Sequence, residues 1–134
     1  MIGRITGSII EKAPPLLTID VNGLGYEVFT PMNTFYQLSS EITSITLITH
    51  HVIREDHHAL YGFQTHAERD LFRHLIKVNG IGPKLALTVL SSMEQSQFTH
   101  HIINGEITAL VRIPGIGKKT AERLVIEMRG KLEE

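Results

Sequence analysis

The sequence Gly-Ile-Gly-Pro-Lys-Leu-Ala at residues 80–86 recurs 35 residues later as Gly-Ile-Gly-Lys-Lys-Thr-Ala at residues 115–121. In each copy an apolar helical segment ends, the Gly-Ile-Gly turn follows, and a second helical segment opens with lysine in its first turn. Glycine suits such a turn because it accepts positive φ and lets another backbone approach closely. We expect Ile81 and Ile116, which lie between the glycines, to point into the core. One unit of two helices joined by a tight turn therefore occurs twice in the second half of the chain.

The start of the second helix in each copy has the chemistry of a phosphate site. The first N–H groups of a helix lack partners within the helix, and the helix dipole places about half a positive charge there. Lysine side chains add charge, a threonine hydroxyl adds a hydrogen bond, and the glycines let a DNA strand come close. Both copies resemble the helix-hairpin-helix motif of non-specific DNA-binding proteins. The predicted phosphate-binding residues are Asn79, Gly80, Gly82, Lys84, Gly115, Gly117, Lys118, Lys119, Thr120 and Arg123, together with Arg54 from the first half.

Neither copy has a set of side chains placed to reach base edges, so we expect binding to be independent of DNA sequence. The alternative is a purely structural pair of helices whose glycines serve only the turn. Residues 117–120 also look like the phosphate-binding loop of ATPases. That loop needs glycine where Arg112 stands and serine or threonine where Lys119 stands. We therefore expect no ATPase activity, no catalytic residues and no cofactor.

The first half of the chain has the hydrophobic period of strands. β-Branched residues alternate with polar ones between turn signals, among them a predicted turn over Asn22–Gly25. About five strands are predicted, with a short helix between the third and fourth, which is typical of a small OB-fold-like barrel. The strands are the opening residues, Leu17–Val21, Tyr26–Phe29, Ile42–Ile53 and Ala59–Phe63, and the short helix is Asn33–Leu38.

The period changes at Thr65, which forms a predicted capping box with Glu68 at the start of a helix. Further helices are predicted at roughly residues 83–91, 94–104, 106–112 and 118–131. The sequence thus predicts two domains. Residues 1–64 form the OB-fold-like barrel, and residues 65–134 form an all-α domain that carries both hairpins.

Composition excludes several classes of protein. The 13 basic and 14 acidic residues give a net charge of −1, but residues 1–63 carry −3 and residues 64–134 carry +2. Because the chain has no cysteine, disulfides, iron–sulfur clusters and thiolate zinc sites are excluded. No apolar run is long enough to span a bilayer, and the first residues alternate like a strand instead of forming a signal peptide. We expect a cytoplasmic protein with no membrane partner.

The arrangement of a barrel and two hairpins is similar to the RuvA family of Holliday-junction-binding proteins along the whole chain. Residues 113–121 also look like the hairpin of base-excision glycosylases, but those enzymes use a downstream aspartate, and this chain has none after Asp70. The similarity to RuvA implies binding of four-way junction DNA, held open for branch migration in recombination and repair. The segments that carry it are Met1–Arg4, Gly23–Val28, Arg54–Asp56, Leu60–Phe63, Asn79–Lys84 and Pro114–Thr120.

The resemblance also gives a role to Glu55 and Asp56, which from sequence alone are a solvated turn between strands. In the family the matching pair is an acidic pin that projects at the junction centre. The resemblance further implies a homotetramer with its core in the barrel, or an octamer on DNA, with the motor RuvB and the resolving nuclease RuvC as partners. The family has a third, small helical domain that contacts the motor. This sequence lacks it, so we expect coupling to RuvB only through that missing domain.

Three other interpretations remain. The eight histidines suggest a metal site, but the pairs at 50–51 and 57–58 match no zinc-binding spacing, so none is expected. A nuclease would need converging carboxylates, whereas adjacent residues such as Glu55 and Asp56 at a strand end point different ways. The remaining alternative is a general duplex or single-stranded DNA-binding module of another repair protein, which a preference for junctions would distinguish.

Overall fold

The structure, a computed structural model, describes residues 1–132, and the chain divides into two compact units. The first unit is Met1–Arg69 and the second comprises the chain from Asp70 onward. No helix among the described residues is long and apolar enough to cross a membrane.

The first unit is a closed five-stranded barrel, as the sequence predicts. The strands follow the order β1-β2-β3-β5-β4, and β4 pairs with β1 to complete the ring. All pairs are antiparallel except β3 with β5. The elements are β1 (Arg4–Ala13), β2 (Leu16–Val21), β3 (Leu24–Phe29), the short helix α1 (Met32–Gln37), β4 (Ser44–Ile53) and β5 (His58–Phe63).

Alternation along the strands fills the barrel. Leu17 and Ile19 of β2, Val28 of β3 and Leu47 of β4 are fully buried because every second side chain points inward. The interior is narrow where β5 passes: a Cβ at Gly62 would lie 2.6 Å from Val28 Cγ1 and 2.9 Å from Leu47 Cδ1. Only glycine fits at that position.

Several predicted boundaries in this unit are wrong by one to two residues, including both ends of the short helix, which spans Met32–Gln37 and not Asn33–Leu38. The turn between β2 and β3 is only Asn22 and Gly23, both with positive φ, because Gly25 pairs with Asp20 in the ladder. Strand β4 begins at Ser44, two residues later than predicted. Strand β5 begins one residue earlier than predicted, because His58 pairs with Ile53.

Side chains fasten the first residues to the barrel and to the next helix. The buried Thr49 hydroxyl donates to the carbonyl of Ile2. The Arg69 guanidinium donates to the carbonyls of Gly3, at 3.2 Å, and of Thr49, at 3.3 Å. The predicted capping box is present, since the Glu68 N–H donates to Thr65 Oγ1 at 3.2 Å. Burial raises the pKa of Glu68, against the opposing effect of hydrogen bonds from Thr65 and Asn33.

The second half is all helical, as predicted. The helices are α2 (His66–Leu75), α3 (Pro83–Ser92), α4 (Gln95–Ile103), α5 (Ile107–Val111) and α6 (Lys118–Leu132). Core positions repeat at the same offset of 35 as the sequence motif, because each copy buries the same face of its two helices. The buried pairs are Leu75 and Leu110, Val78 and Ile113, Ile81 and Ile116, Ala86 and Ala121, and Val89 and Leu124.

Candidate nucleic-acid interface

The two sequence repeats form two hairpins with the same backbone hydrogen bonds. In the first hairpin, between α2 and α3, the N–H of Ile81 donates to the carbonyl of Val78 at 3.0 Å. In the second, between α5 and α6, the N–H of Ile116 donates to Ile113 at 3.1 Å. Ile81 and Ile116 are each 4% exposed, so the prediction that they anchor the hairpins in the core is confirmed.

The first glycine of each hairpin is required by the turn. Gly80 has a φ of 94° and Gly115 a φ of 89°, the left-handed region that side chains disfavour. In the second hairpin space is also short, because a Cβ at Gly115 would lie 2.9 Å from Leu85 Cδ1.

At the second glycine of each hairpin, neither the backbone conformation nor packing within the fold requires glycine. Apart from its own chain neighbours, a Cβ at Gly82 or at Gly117 would have no atom within 4 Å. Gly82 adopts a φ of −89° and a ψ of 175°, extended backbone that any residue accepts. Both glycines are exposed and immediately precede a helix. The molecule therefore leaves open space in front of two equivalent helix starts.

Each of these helix starts presents N–H groups outward. The helical hydrogen bonds begin with Ala86 N–H to Gly82, at 3.0 Å, and Ala121 N–H to Gly117, at 2.9 Å. The N–H groups just before them lack partners of this kind. No side chain caps α3 at Gly82, and Pro83 at its first position has no N–H. Two helix N-termini, with their dipoles, are thus open to an anion.

Lysine side chains surround both helix starts. Lys84 of α3 and Lys118 and Lys119 of α6 are exposed, and Thr120 is half-buried. Within residues 1–132, none of the three lysines forms an ion pair with a carboxylate. Their charge is therefore available to a ligand.

The two hairpins support each other crosswise. Arg123 of α6 donates through Nη1 to the carbonyl of Asn79 in the first hairpin, at 3.1 Å. Leu85 of α3 lies against Gly115 in the second hairpin. The structure thus brings Asn79 and Gly80 together with Arg123, and part of the hydrogen-bonding capacity of Arg123 is used to hold the neighbouring turn.

The remaining predicted site residues, Arg54, Glu55 and Asp56, belong to the first unit and form the tip between β4 and β5. The N–H of Arg54 donates to the carbonyl of His57 at 2.9 Å, which leaves Glu55 and Asp56 at the end of the hairpin. All four residues are exposed, and the Asp56 side chain is 88% exposed. We call residues 54–57 the acidic tip. Its geometry places two carboxylates in solvent beyond the barrel strands.

Histidines lie along the strands that carry the acidic tip. His57 Nδ1 is 3.1 Å from Asp56 Oδ1, and this hydrogen bond lowers the pKa of Asp56. The rings of His51 on β4 and His58 on β5 are 5.4 Å apart. Partial burial, with smaller contributions from the Met1 amino group and His58, lowers the pKa of His51. Within residues 1–132, no three His, Asp or Glu side chains are grouped so that they could hold a metal ion.

Sequence reasoning missed two residues that shape these sites. Leu85 packs against the second hairpin. The only sequence signal for this role is its position in the first copy, three residues after Gly82. His57 contacts Asp56, and its place directly after the acidic pair is the signal that identifies it.

Comparisons with known proteins agree with this architecture. Residues 1–62 match the family described as RuvA N terminal domain, and residues 72–130 match the SAM-like helix-hairpin-helix tandem. Over 132 residues, the chain is 58% identical to a protein of Marinomonas sp. (strain MWYL1), with 98% of this chain and 66% of the relative covered. It is 56% identical over 133 residues to a protein of Photobacterium profundum, covering 99% and 65% respectively.

A third relative, from Bordetella avium (strain 197N), is 57% identical over 132 residues, with 98% of this chain and 70% of the relative covered. All three relatives are named Holliday junction branch migration complex subunit RuvA. The chain spans about two thirds of the length of the curated relatives it matches.

Proposed function

Because the chain belongs to the RuvA family of Holliday junction branch migration complex subunits, we propose that it binds four-way junction DNA without sequence preference. It holds the junction open while a partner ATPase drives branch migration in recombination and DNA repair. The chain itself acts as a DNA-binding subunit and has no catalytic role.

The observation that carries the proposal is the open space at Gly82 and Gly117. These glycines stand at equivalent places in the two hairpins, and neither is required by φ or by packing against other residues of the fold. A bound ligand would give a reason for glycine at these positions, because a phosphate could then approach the free N–H groups of α3 and α6 closely. The exposed lysines at both helix starts supply the matching positive charge.

Backbone contacts of this kind explain why binding would be independent of sequence. N–H groups, lysines and a threonine hydroxyl bind phosphate oxygens, which are the same at every base pair. During branch migration each step replaces one base pair with another. A protein that grips only phosphates meets an equivalent surface at every step and has no preferred stopping place.

The acidic tip would act in the opposite sense. Glu55 and Asp56 are exposed carboxylates at the end of a hairpin, and phosphates repel them. In a homotetramer, four subunits with two carboxylates each would gather eight at the junction centre. Attraction between the hairpins and phosphates would hold the duplex arms. Repulsion by the acidic pin would keep the strands at the junction centre apart. Arg54, which borders the pin, would contact a further phosphate.

The assembly that we propose follows the family. Residues 1–64 carry the pin and the tetramer core, and residues 65–134 carry the tandem hairpins. The functional form is a homotetramer, or an octamer on DNA, in the cytoplasm. Its partners are the motor RuvB, which supplies ATP hydrolysis, and the resolvase RuvC. Contact with RuvB uses the third domain of the family.

A competition gel shift between a four-way junction and linear duplex of the same sequence tests the proposal. Run at several salt concentrations, it should show a strong preference for the junction and a steep loss of affinity with salt. Equal affinity for the two DNAs would instead indicate a general DNA-binding module.

The acidic pin is tested by the double variant Glu55→Gln, Asp56→Asn. Removing the repulsion should increase junction affinity, most strongly at low salt, and should alter migration in the presence of RuvB. The matched control is Glu11→Gln, Glu41→Gln, which changes the net charge of the first unit equally at exposed positions away from the tip. Unchanged or weaker junction binding, together with unchanged migration, would count against the pin.

A further inference from the structure

The hairpin that bears the acidic tip is unusually rich in histidine. His50 and His51 lie on β4, His57 lies in the tip and His58 begins β5. Histidine is the side chain whose ordinary charge change falls between pH 5 and 8. None of the function proposed above uses these residues.

The charge of the tip depends on two of these histidines. Arg54, Glu55 and Asp56 together contribute −1 when histidine is neutral. His57 adjoins Asp56, with its Nδ1 3.1 Å from Oδ1, and His58 follows it in the chain. Protonation of both would add +2 to −1, so residues 54–58 together would carry +1. The sign of the charge that faces DNA would then reverse.

Other charged or titratable groups near the tip belong to the flanking elements. On β4 these are His50 and His51, with His51 facing His58 at 5.4 Å. On β5 the nearest is Tyr61, whose interactions include Arg54, and from the start of the chain the Met1 amino group acts on His51. Among these neighbours the Met1 amino group and Arg54 carry positive charge, and the Asp56 carboxylate lies in contact with His57.

We propose that His57 and His58 set the charge of the acidic pin, so that mild acidification converts it from a group that repels the junction into one that binds it. This inference rests on the proposed junction binding and adds a pH dependence to it. At neutral pH the pin keeps the junction centre open, whereas in mild acid, with both histidines charged, it attaches to the crossover phosphates. Tighter binding at the centre would also slow branch migration.

The phosphate-binding hairpins do not share this dependence. Residues 77–82 and 112–117, and the lysines that follow them, include no histidine. Lysine, with an ordinary pKa near 10.4, stays charged across the relevant range. A pH dependence of junction binding near neutrality would therefore arise from histidines and not from the phosphate-binding hairpins.

The test compares junction affinity at constant ionic strength between about pH 5.8 and 7.4, a range in which ordinary carboxylates stay ionised. The parent should bind more tightly as pH falls, by at least about fivefold, the effect of one charge pair at about 4 Å in water. The variant His57→Gln, His58→Gln should lose most of that change. The control His100→Gln, His101→Gln removes another adjacent pair, on α4, and should keep it.

A second measurement needs no variant. Calorimetry of junction binding at about pH 6.5, near the ordinary pKa of histidine, is repeated in buffers of different ionisation enthalpy and should show net proton uptake by the parent protein. Parental affinity that does not rise with acidification, absence of proton uptake, or an unchanged pH dependence in the His57 and His58 variant would overturn the inference. The proposed function fails separately, if the parent shows no preference for junction over duplex at the upper end of the pH range.

Discussion

The same substitution should reduce stability at one glycine of the first hairpin and DNA binding at the other. Gly80→Ala should destabilise the protein, because the turn requires its φ of 94°. Gly82→Ala should leave stability almost unchanged and weaken DNA binding, because the fold leaves the space in front of it empty. The two substitutions add the same methyl group two residues apart, so each is the control for the other.

The magnitudes follow from the geometry. An added Cβ at Gly80 would lie 3.8 Å from Arg123 Nη1, an ordinary contact, so the penalty is the left-handed backbone alone. That penalty is roughly 1–2 kcal/mol, which lowers Tm by roughly 4–16 °C in a domain of this size. At Gly82 the reduced freedom of the unfolded chain favours alanine by roughly 0.4–1 kcal/mol. The poorer capping preference of alanine opposes this by about the same amount.

At Gly82 the added methyl group should act directly on DNA binding, because it would stand in the open space before the start of α3. A hydrogen bond from an N–H group to a charged partner contributes about 1.5–3 kcal/mol. Holding the phosphate away with a methyl group should therefore weaken binding roughly tenfold to hundredfold. Thermal unfolding by circular dichroism and a junction-binding titration measure the two effects. Parental affinity in Gly82→Ala, or a loss of Tm as large as that of Gly80→Ala, would refute the reasoning.

Three further predictions concern charge, packing and pH. Lys118→Gln should reduce the slope of log K against log salt by about 0.9 because one lysine–phosphate interaction is removed, and a salt titration with the same slope as the parent would contradict this. Leu75→Ala and Leu110→Ala remove fully buried side chains at equivalent positions. Each should cost about 2–5 kcal/mol in urea unfolding, and a small loss at either site would show that the copies are not equivalent in packing. Burial raises the pKa of Glu68 in the folded protein above its ordinary 4.5. The protonated carboxyl group therefore stabilises the folded state fully below pH 4.5, and this stabilisation is lost as pH rises through the pKa of the folded protein. Glu68→Gln should remove this loss of stability between about pH 4 and 7. If Tm of the variant still falls over that range as it does in the parent, the prediction is wrong.

The sequence predicts the helical half well because its signals are local. The spacing of Leu110, Ile113, Ile116 and Ala121 repeats that of the first copy, and turn chemistry and helical period act over only a few residues. The paired hairpins, their core positions and their lysines could therefore be predicted without a structure.

Contacts between distant segments could not be predicted in this way. The barrel closes because Arg4 pairs with Ile48, a register that no local pattern contains. Arg123, predicted as a phosphate contact, also holds the carbonyl of Asn79, 44 residues away. The predicted turn after β2 is too long because Gly25 is a good turn residue, and its pairing with Asp20 overrides that preference.

The crosswise support of the hairpins limits how the duplicated unit can change. Arg123 in the second copy holds the turn of the first, and Leu85 in the first copy packs on the turn of the second. A chain that kept only one copy would lose the support of its own turn. The distance between the two phosphate grips is set by this shared core and not by a linker. We therefore expect the two helix starts to keep a fixed spacing, so that they bind DNA as one unit.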